Sequence, residues 1–229
     1  MVTNFHVRAP YPQRGHICSN ETVYVQIQRT AISNYLSWKT LLNNRIKIIG
    51  GTWRSRQIAV IDEQGLRPTP ARVRETLFNW LQTDIFNSQC LDVFSGSGAR
   101  GFEAASRGAR LVVAIENNVP AYQALKDNAA KLNASQMTCI QKDALTYLAA
   151  PATTQFDIVF LDPPFGLGLI AQSIELLDKQ QWLAPYAKIY VETENALNID
   201  AHIPKNWHGL KNKIAGEVTY RLFENQCDV

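Results

Sequence analysis

From residue 90 onward, short apolar runs alternate with segments whose apolar side chains recur every three or four positions. Residues 90–94, 111–115, 138–141, 156–161 and 188–192 are β-rich runs with little polar interruption. Such runs predict strands covered on both faces. Between them the spacing predicts helices near 101–107, over 119–132, near 144–149 and around 169–179. Residues 210–215 and 219–223 read as a closing antiparallel pair. This alternation implies a mostly parallel sheet with helices on both faces.

Upstream, residues 45–49 and 57–61 flank Gly50-Gly51 and read as a hairpin or small sheet. Gly65-Leu66-Arg67-Pro68 is a predicted turn. Thr69 or Pro70 then opens a helix to Gln82, with Val73, Leu77, Phe78 and Leu81 on one apolar face. Residues 1–40 have little periodicity, with one short candidate strand at 22–28. The expected organisation is an N-terminal extension (1–44) read as poorly ordered, a basic hairpin (45–64) and an α/β domain (65–229). There is no internal repeat or low-complexity tract.

Composition narrows the class. The chain has 229 residues, 46% of them hydrophobic and 19% charged, as in a folded domain rather than a disordered tract. No apolar run is long enough for a membrane helix, and no basic-then-apolar leader points to export. Cys18, Cys90, Cys139 and Cys227 are far apart without a CxxC pair, and His6, His16, His202 and His208 are scattered. The expectation is a cytoplasmic protein without a metal site. The net charge of +3 is unevenly spread. Residues 1–75 hold eleven Lys and Arg against four acidic residues, or +7, which leaves −4 on the remainder. A basic front on an acidic body predicts a polyanion partner.

The first strand of the alternating region runs into Phe94-Ser95-Gly96-Ser97-Gly98-Ala99-Arg100-Gly101, a G-x-G-x-x-G loop between a strand and a helix. Glu116 ends the next strand, 20 residues beyond Gly96, where a carboxylate can accept both hydroxyls of an adenosine ribose. These features fit NAD(P) and S-adenosylmethionine alike. Asp92, just before the loop, can order it or meet a cofactor's ammonium group. Asp143 can accept from an adenine amino group, or cap the helix that follows it.

The chemistry is chosen by Asp162-Pro163-Pro164-Phe165, after the fourth strand. Two prolines remove two backbone donors, so the Asp162 side chain and a nearby carbonyl can hold both N–H bonds of an exocyclic amine. Phe165 offers a face on which a base can stack. An amine held this way can pyramidalise towards a sulfonium methyl, the barrier falling through positioning and electrostatics. Asp162 can take the released proton or pass it to solvent.

On these residues the sequence resembles the class I S-adenosylmethionine-dependent methyltransferases with a [D/N]-P-P-[F/Y/W] motif. More narrowly, it resembles the RsmD family. The matching stretches are 45–56 (RIKIIGGTWRSR), 65–81 (GLRPTPARVRETLFNWL), 90–109 (CLDVFSGSGARGFEAASRGA), 156–168 (FDIVFLDPPFGLG) and 189–194 (IYVETE). The second is the most specific, because generic methyltransferases lack it.

The resemblance implies a Rossmann-like class I methyltransferase fold with a seven-stranded, mostly parallel sheet and a small N-terminal β-hairpin. It implies methylation of guanine N2 in small-subunit (16S) ribosomal RNA, at position 966 of that RNA, by a monomer acting on the subunit or an assembly intermediate. S-adenosylmethionine would be held by Asp92, Phe94, Gly96, Gly98, Glu116, Asp143 and Asp162. Asp162, Pro163, Pro164 and Phe165 would form the catalytic motif. Arg45, Lys47, Trp53, Arg54, Arg56, Arg67 and Arg72 would meet RNA, with Thr69 near the site mouth.

Three departures stand out. Ser95 replaces the commoner Ala, Arg100 puts a cation where a small or apolar residue is usual, and residues 1–40 exceed the usual leader. Competing readings are a DNA adenine-N6 methyltransferase, an NAD(P) oxidoreductase and a non-catalytic RNA-binding ribosome assembly factor. The first lacks a target-recognition region, the second leaves 162–165 unused, and the third leaves both motifs unused.

Overall fold

The computed structural model describes residues 44–61 and 70–226. The candidate strand at 22–28, the turn at 65–68, Arg67 and Thr69 lie outside them, as do His6, His16, Cys18 and Cys227.

The predicted alternation is realised in order. Strand β1 (Asn44–Lys47) pairs antiparallel with β2 (Gln57–Val60) in a two-stranded sheet. Helix α1 (Ala71–Trp80) follows. The main sheet then starts with β3 (Gln89–Asp92), α2 (Ala99–Ser106), β4 (Leu111–Glu116) and α3 (Val119–Leu132). It continues with β5 (Met137–Gln141), α4 (Ala144–Leu148), β6 (Phe156–Leu161), α5 (Leu169–Lys179) and β7 (Leu183–Glu194). It closes with β8 (Trp207–Ala215) and β9 (Val218–Asn225). The seven strands lie in the order β5-β4-β3-β6-β7-β9-β8. The five from β3 to β7 are parallel, and β9 runs antiparallel to both β7 and β8. This is a Rossmann-like α/β architecture with a small antiparallel hairpin.

Strand alternation sorts the core into two layers. Leu91, Val113, Val159, Ile189 and Val191 pack with α4 and α5 residues such as Leu148 and Ile174. Cys90, Val112, Ile158, Phe160 and Tyr190 pack on the opposite face with Val73, Leu77 and Phe78 of α1 and Ala104 and Ala105 of α2. Burial on both faces explains why these strands read as unbroken apolar runs. Helix α3 starts where the Asn118 side chain accepts from the Ala121 N–H, with Pro120 in the first turn, and stops at Asn133 with φ 52°. Its buried Ala121, Ala124, Leu125, Asn128 and Leu132 keep helical spacing.

Of the boundaries that differ from the sequence reading, three have a clear local cause. Helix α2 begins two residues earlier, because Gly98 caps it at φ 85° and its carbonyl accepts from Phe102 N–H at 2.8 Å. Strand β7 begins at Leu183 rather than residue 188. Its register with β6 shifts between Phe156 and Ile158, so the segment containing Pro185 and Tyr186 (φ 62°) forms an irregularity that looks like a turn in sequence. Strand β8 begins at Trp207, three residues early, because His208 and Gly209 hide the apolar pattern.

Among the described residues, no helix is long and apolar enough to cross a membrane.

Candidate active site

Strand order reverses between β3 and β6. In open α/β sheets the crevice at the carboxyl ends of such strands receives ligands. The register pairs Asp92 with Phe160, so the glycine loop after β3 and the Asp162-Pro163-Pro164-Phe165 turn after β6 emerge side by side.

The loop is tied down on both sides. Glu116 Oε2 accepts from Gly96 N–H at 2.7 Å, and Oε1 accepts from Asn118 N–H at 2.7 Å. Asp92 Oδ2 accepts from Gly101 N–H at 3.2 Å. The two loop glycines answer different demands. At Gly98 a Cβ would stand 2.4 Å from Leu125 Cδ1, so close packing requires its absence. At Gly96 (φ 54°) a Cβ would meet no protein atom within 4 Å, leaving open space over the backbone beside Glu116. That opening, with a carboxylate at the strand end, fits the adenosyl and amino-acid parts of S-adenosylmethionine. Phe94 is half-buried against the core. Asp143 caps α4, its Oδ1 accepting from Thr146 N–H and from the Thr146 hydroxyl at 2.8 Å each.

In the second motif Pro163 is buried, whereas Phe165 is 47% exposed. The backbone beyond it is fixed by Glu194 Oε1, which accepts from Gly166 N–H at 2.6 Å.

Beneath both motifs lies a buried charge cluster. Arg100 is 6% exposed. Its Nη1 lies 2.6 Å from Asp162 Oδ2 and 3.7 Å from Glu192 Oε2, and its Nε lies 4.0 Å from Asp92 Oδ1. The Tyr190 hydroxyl donates to Glu192 Oε2 at 2.9 Å. Burial pushes the Asp92 carboxyl up to about 6, against the pull of Arg100. Burial, reinforced by Asp162, pushes Glu192 up to about 7. Burial also raises the Tyr190 phenol, with Glu192 adding to it. For Arg100, burial disfavours the cation, but Asp162, Asp92 and Glu192 outweigh it and hold the guanidinium above its ordinary value.

The hairpin is bolted onto α2. Glu103, fully buried, accepts from Ile49 N–H at 2.7 Å, Gly50 N–H at 2.8 Å and Arg107 Nε at 2.8 Å. Ser106 Oγ accepts from Trp53 N–H and donates to Gly50 O. At Gly51 (φ 75°) a Cβ would stand 1.8 Å from Ser106 O.

This sorts the predicted RNA contacts. Arg45, Lys47, Arg54 and Arg56 on the hairpin and Arg72 on α1 are exposed. Arg56 Nη2 also donates to Lys131 O at 2.8 Å. Trp53 is half-buried against the core. Arg74 is buried, its guanidinium nitrogens donating to Lys47 O at 3.3 Å.

A family model described as "Conserved hypothetical protein 95" matches residues 46–224. Ribosomal RNA small subunit methyltransferase D of Escherichia coli (strain K12) is 46% identical over 185 residues, covering 81% of this chain and 92% of that one. The chain belongs to the RsmD family of methyltransferases.

Two solved structures share the fold. The Escherichia coli protein yhhF superposes with a TM-score of 0.74 at 44% identity, covering 80% of this chain and 99% of that one. A Thermus thermophilus 16S rRNA N2 G1207 methyltransferase shares the fold, with a TM-score of 0.63 at 19% identity, over 80% of this chain and 50% of that one. As a member of the RsmD family, the chain presents its glycine loop, Glu116 and 162–165 turn at one end of the sheet. Sequence reasoning missed Glu103, Tyr190, Glu192 and Glu194. A signal existed for the last three: Tyr190, Glu192 and Glu194 alternate along β7 and therefore share one face.

Proposed function

We propose that this methyltransferase modifies the exocyclic N2 of a guanine in small-subunit (16S) ribosomal RNA. The observation that carries the reading is the adjacency of the 162–165 turn to the glycine loop at the switch point, with Phe165 exposed beside Asp162. The methyl donor is S-adenosylmethionine, which supplies a carbon made electrophilic by its sulfonium; as the nitrogen–carbon bond forms, the carbon–sulfur pair returns to sulfur.

Everything else is done by the chain. Glu116 receives the ribose hydroxyls, while Asp92 and Glu116 keep the glycine loop in shape; Asp143, the α4 cap, keeps a second oxygen for the adenine amino group. Phe165 stacks on the extruded base. Asp162 and a backbone carbonyl of the turn hold both N–H bonds of the amine, so that its lone pair faces the methyl. The proton leaves nitrogen as the methyl arrives, to Asp162 or to solvent.

The basic hairpin supplies phosphate contacts, which dominate RNA affinity. Replacing Arg54 and Arg56 together with Ala is expected to weaken RNA binding about tenfold and to lessen its salt dependence by one to two phosphate contacts. A filter-binding salt series checks this, and an unchanged slope would remove the two from the interface.

The substrate is tested by offering labelled methyl donor with undermethylated small subunits, naked 16S RNA and DNA, then mapping the labelled nucleoside. Label on guanine N2 of the small-subunit RNA is expected. Label on DNA adenine alone would overturn the assignment.

A further inference from the structure

We propose that Arg100 is a positioning residue for methyl transfer, its guanidinium tying Asp162, Glu192 and Asp92 into one buried unit that fixes the Asp162 carboxylate beneath the target amine. The inference rests on the role given to Asp162 above.

Arg100 is the second residue of α2, directly after the glycine loop. A cation there meets the positive end of the helix dipole, and burial removes its hydration. Both effects oppose it. Its position is explained by what faces it: Asp92 from β3, Asp162 from the end of β6, and Glu192 with Tyr190 from β7. Arg74 from α1 is near enough to feel its charge, Glu103 on α2 lies 4.0 Å from Arg74, and Glu116 at the end of β4 acts on Asp92. Three clustered carboxylates would repel one another in a low-dielectric site. The guanidinium faces all three, Nη1 lying against Asp162 and Glu192 and Nε towards Asp92, and so joins the cofactor loop to the target-base turn through one side chain.

The sign of the pH effect follows. Without the cation, Asp92 and Glu192 hold their protons to higher pH, so the acid limb of the pH–rate profile moves up. Without the Glu192 carboxyl, a group that burial makes hold its proton to high pH is gone, so the limb moves down. The limb reports the cluster as a whole rather than one residue.

The test measures single-turnover methyl transfer across pH, cofactor affinity by calorimetry and thermal melting for Arg100→Leu, Arg100→Lys and Glu192→Gln. In Arg100→Leu the rate at neutral pH is expected to fall about thirtyfold or more, with the acid limb about one pH unit higher and partial recovery at alkaline pH. Arg100→Lys should keep the limb near its original position while losing about fivefold in rate, because a point charge replaces the fork. Glu192→Gln, which preserves shape and can still accept from Tyr190, should lower the limb by about half a unit. Cofactor affinity should stay within about threefold throughout. If Arg100→Leu fails to fold, the other two variants decide. A pH-independent loss in Arg100→Leu or, where that variant does not fold, an unmoved limb in Glu192→Gln would make Arg100 a structural residue only and overturn the proposal. The measurement uses whichever nucleic acid the native protein methylates, so a wrong substrate assignment shows in the native protein and not as a failure of Arg100.

Discussion

Replacing Asp162 with Asn is expected to lower the single-turnover rate of methyl transfer by roughly a hundred- to ten-thousandfold, the range of a positioned proton-transfer group. The amide keeps the size of the side chain but turns one acceptor oxygen into a donor. On the role proposed for Asp162, a donor there would oppose the N–H bonds of the amine, and it could not take the released proton. Cofactor affinity should change little, since Gly96, Gly98 and Glu116 remain in place. Folding should survive as well. Asp162 is 19% exposed, and Arg100 retains Glu192 at 3.7 Å and Asp92 at 4.0 Å, so the buried cation is not stranded. Rapid-quench turnover alongside calorimetry and melting checks all three expectations. A variant that binds S-adenosylmethionine normally and turns over within tenfold of the native rate would remove Asp162 from the reaction.

That prediction draws on sequence and structure in different proportions. The sheet was legible because its strands are buried on both faces, and the apolar runs at 111–115 and 156–161 carry that fact locally. The glycine loop, Glu116 and 162–165 were legible because each is a compact motif at a strand end. The charge cluster was only half legible. Strand parity already puts Asp92 with Cys90, Glu192 with Tyr190, and Asp162 with Phe160 on the face that α1 and α2 cover. Parity does not say which helical side chain arrives to neutralise them. In sequence Arg100 is a cation where a small or apolar residue is usual, whereas in the structure its side chain turns inward to the carboxylates. The same holds for the basic front segment: its charge suggested an RNA surface, yet Arg74 is buried among protein groups. Net charge counts side chains without distinguishing solvent from core.

The hairpin is where this distinction has its largest effect on stability. Replacing Glu103 with Ala is expected to cost about 3–5 kcal/mol, as when one partner of a buried ionic network is removed. In a unit of this size that corresponds to a melting temperature lower by roughly 10 °C. The loss is steep because Glu103 alone receives Ile49 N–H, Gly50 N–H and Arg107 Nε, and its removal leaves all three without that acceptor. Arg74, 4.0 Å away, loses its counter-charge as well. The damage should be local. The 48–56 loop is held to α2 by Glu103 and Ser106, whereas the glycine loop is held from the other side by Glu116 and Asp92. RNA affinity should therefore fall well before cofactor affinity, and hydrogen exchange should quicken first at residues 49–53. Gly51→Ala should reproduce this from the opposite partner, because its Cβ cannot coexist with Ser106 O at 1.8 Å and φ is 75°. If both variants instead lost cofactor and RNA binding in parallel, hairpin and sheet would unfold as a single unit. The paired Gly50-Gly51, Glu103 and Ser106 would then be part of the catalytic core's own stability rather than a mount for the RNA-facing arm.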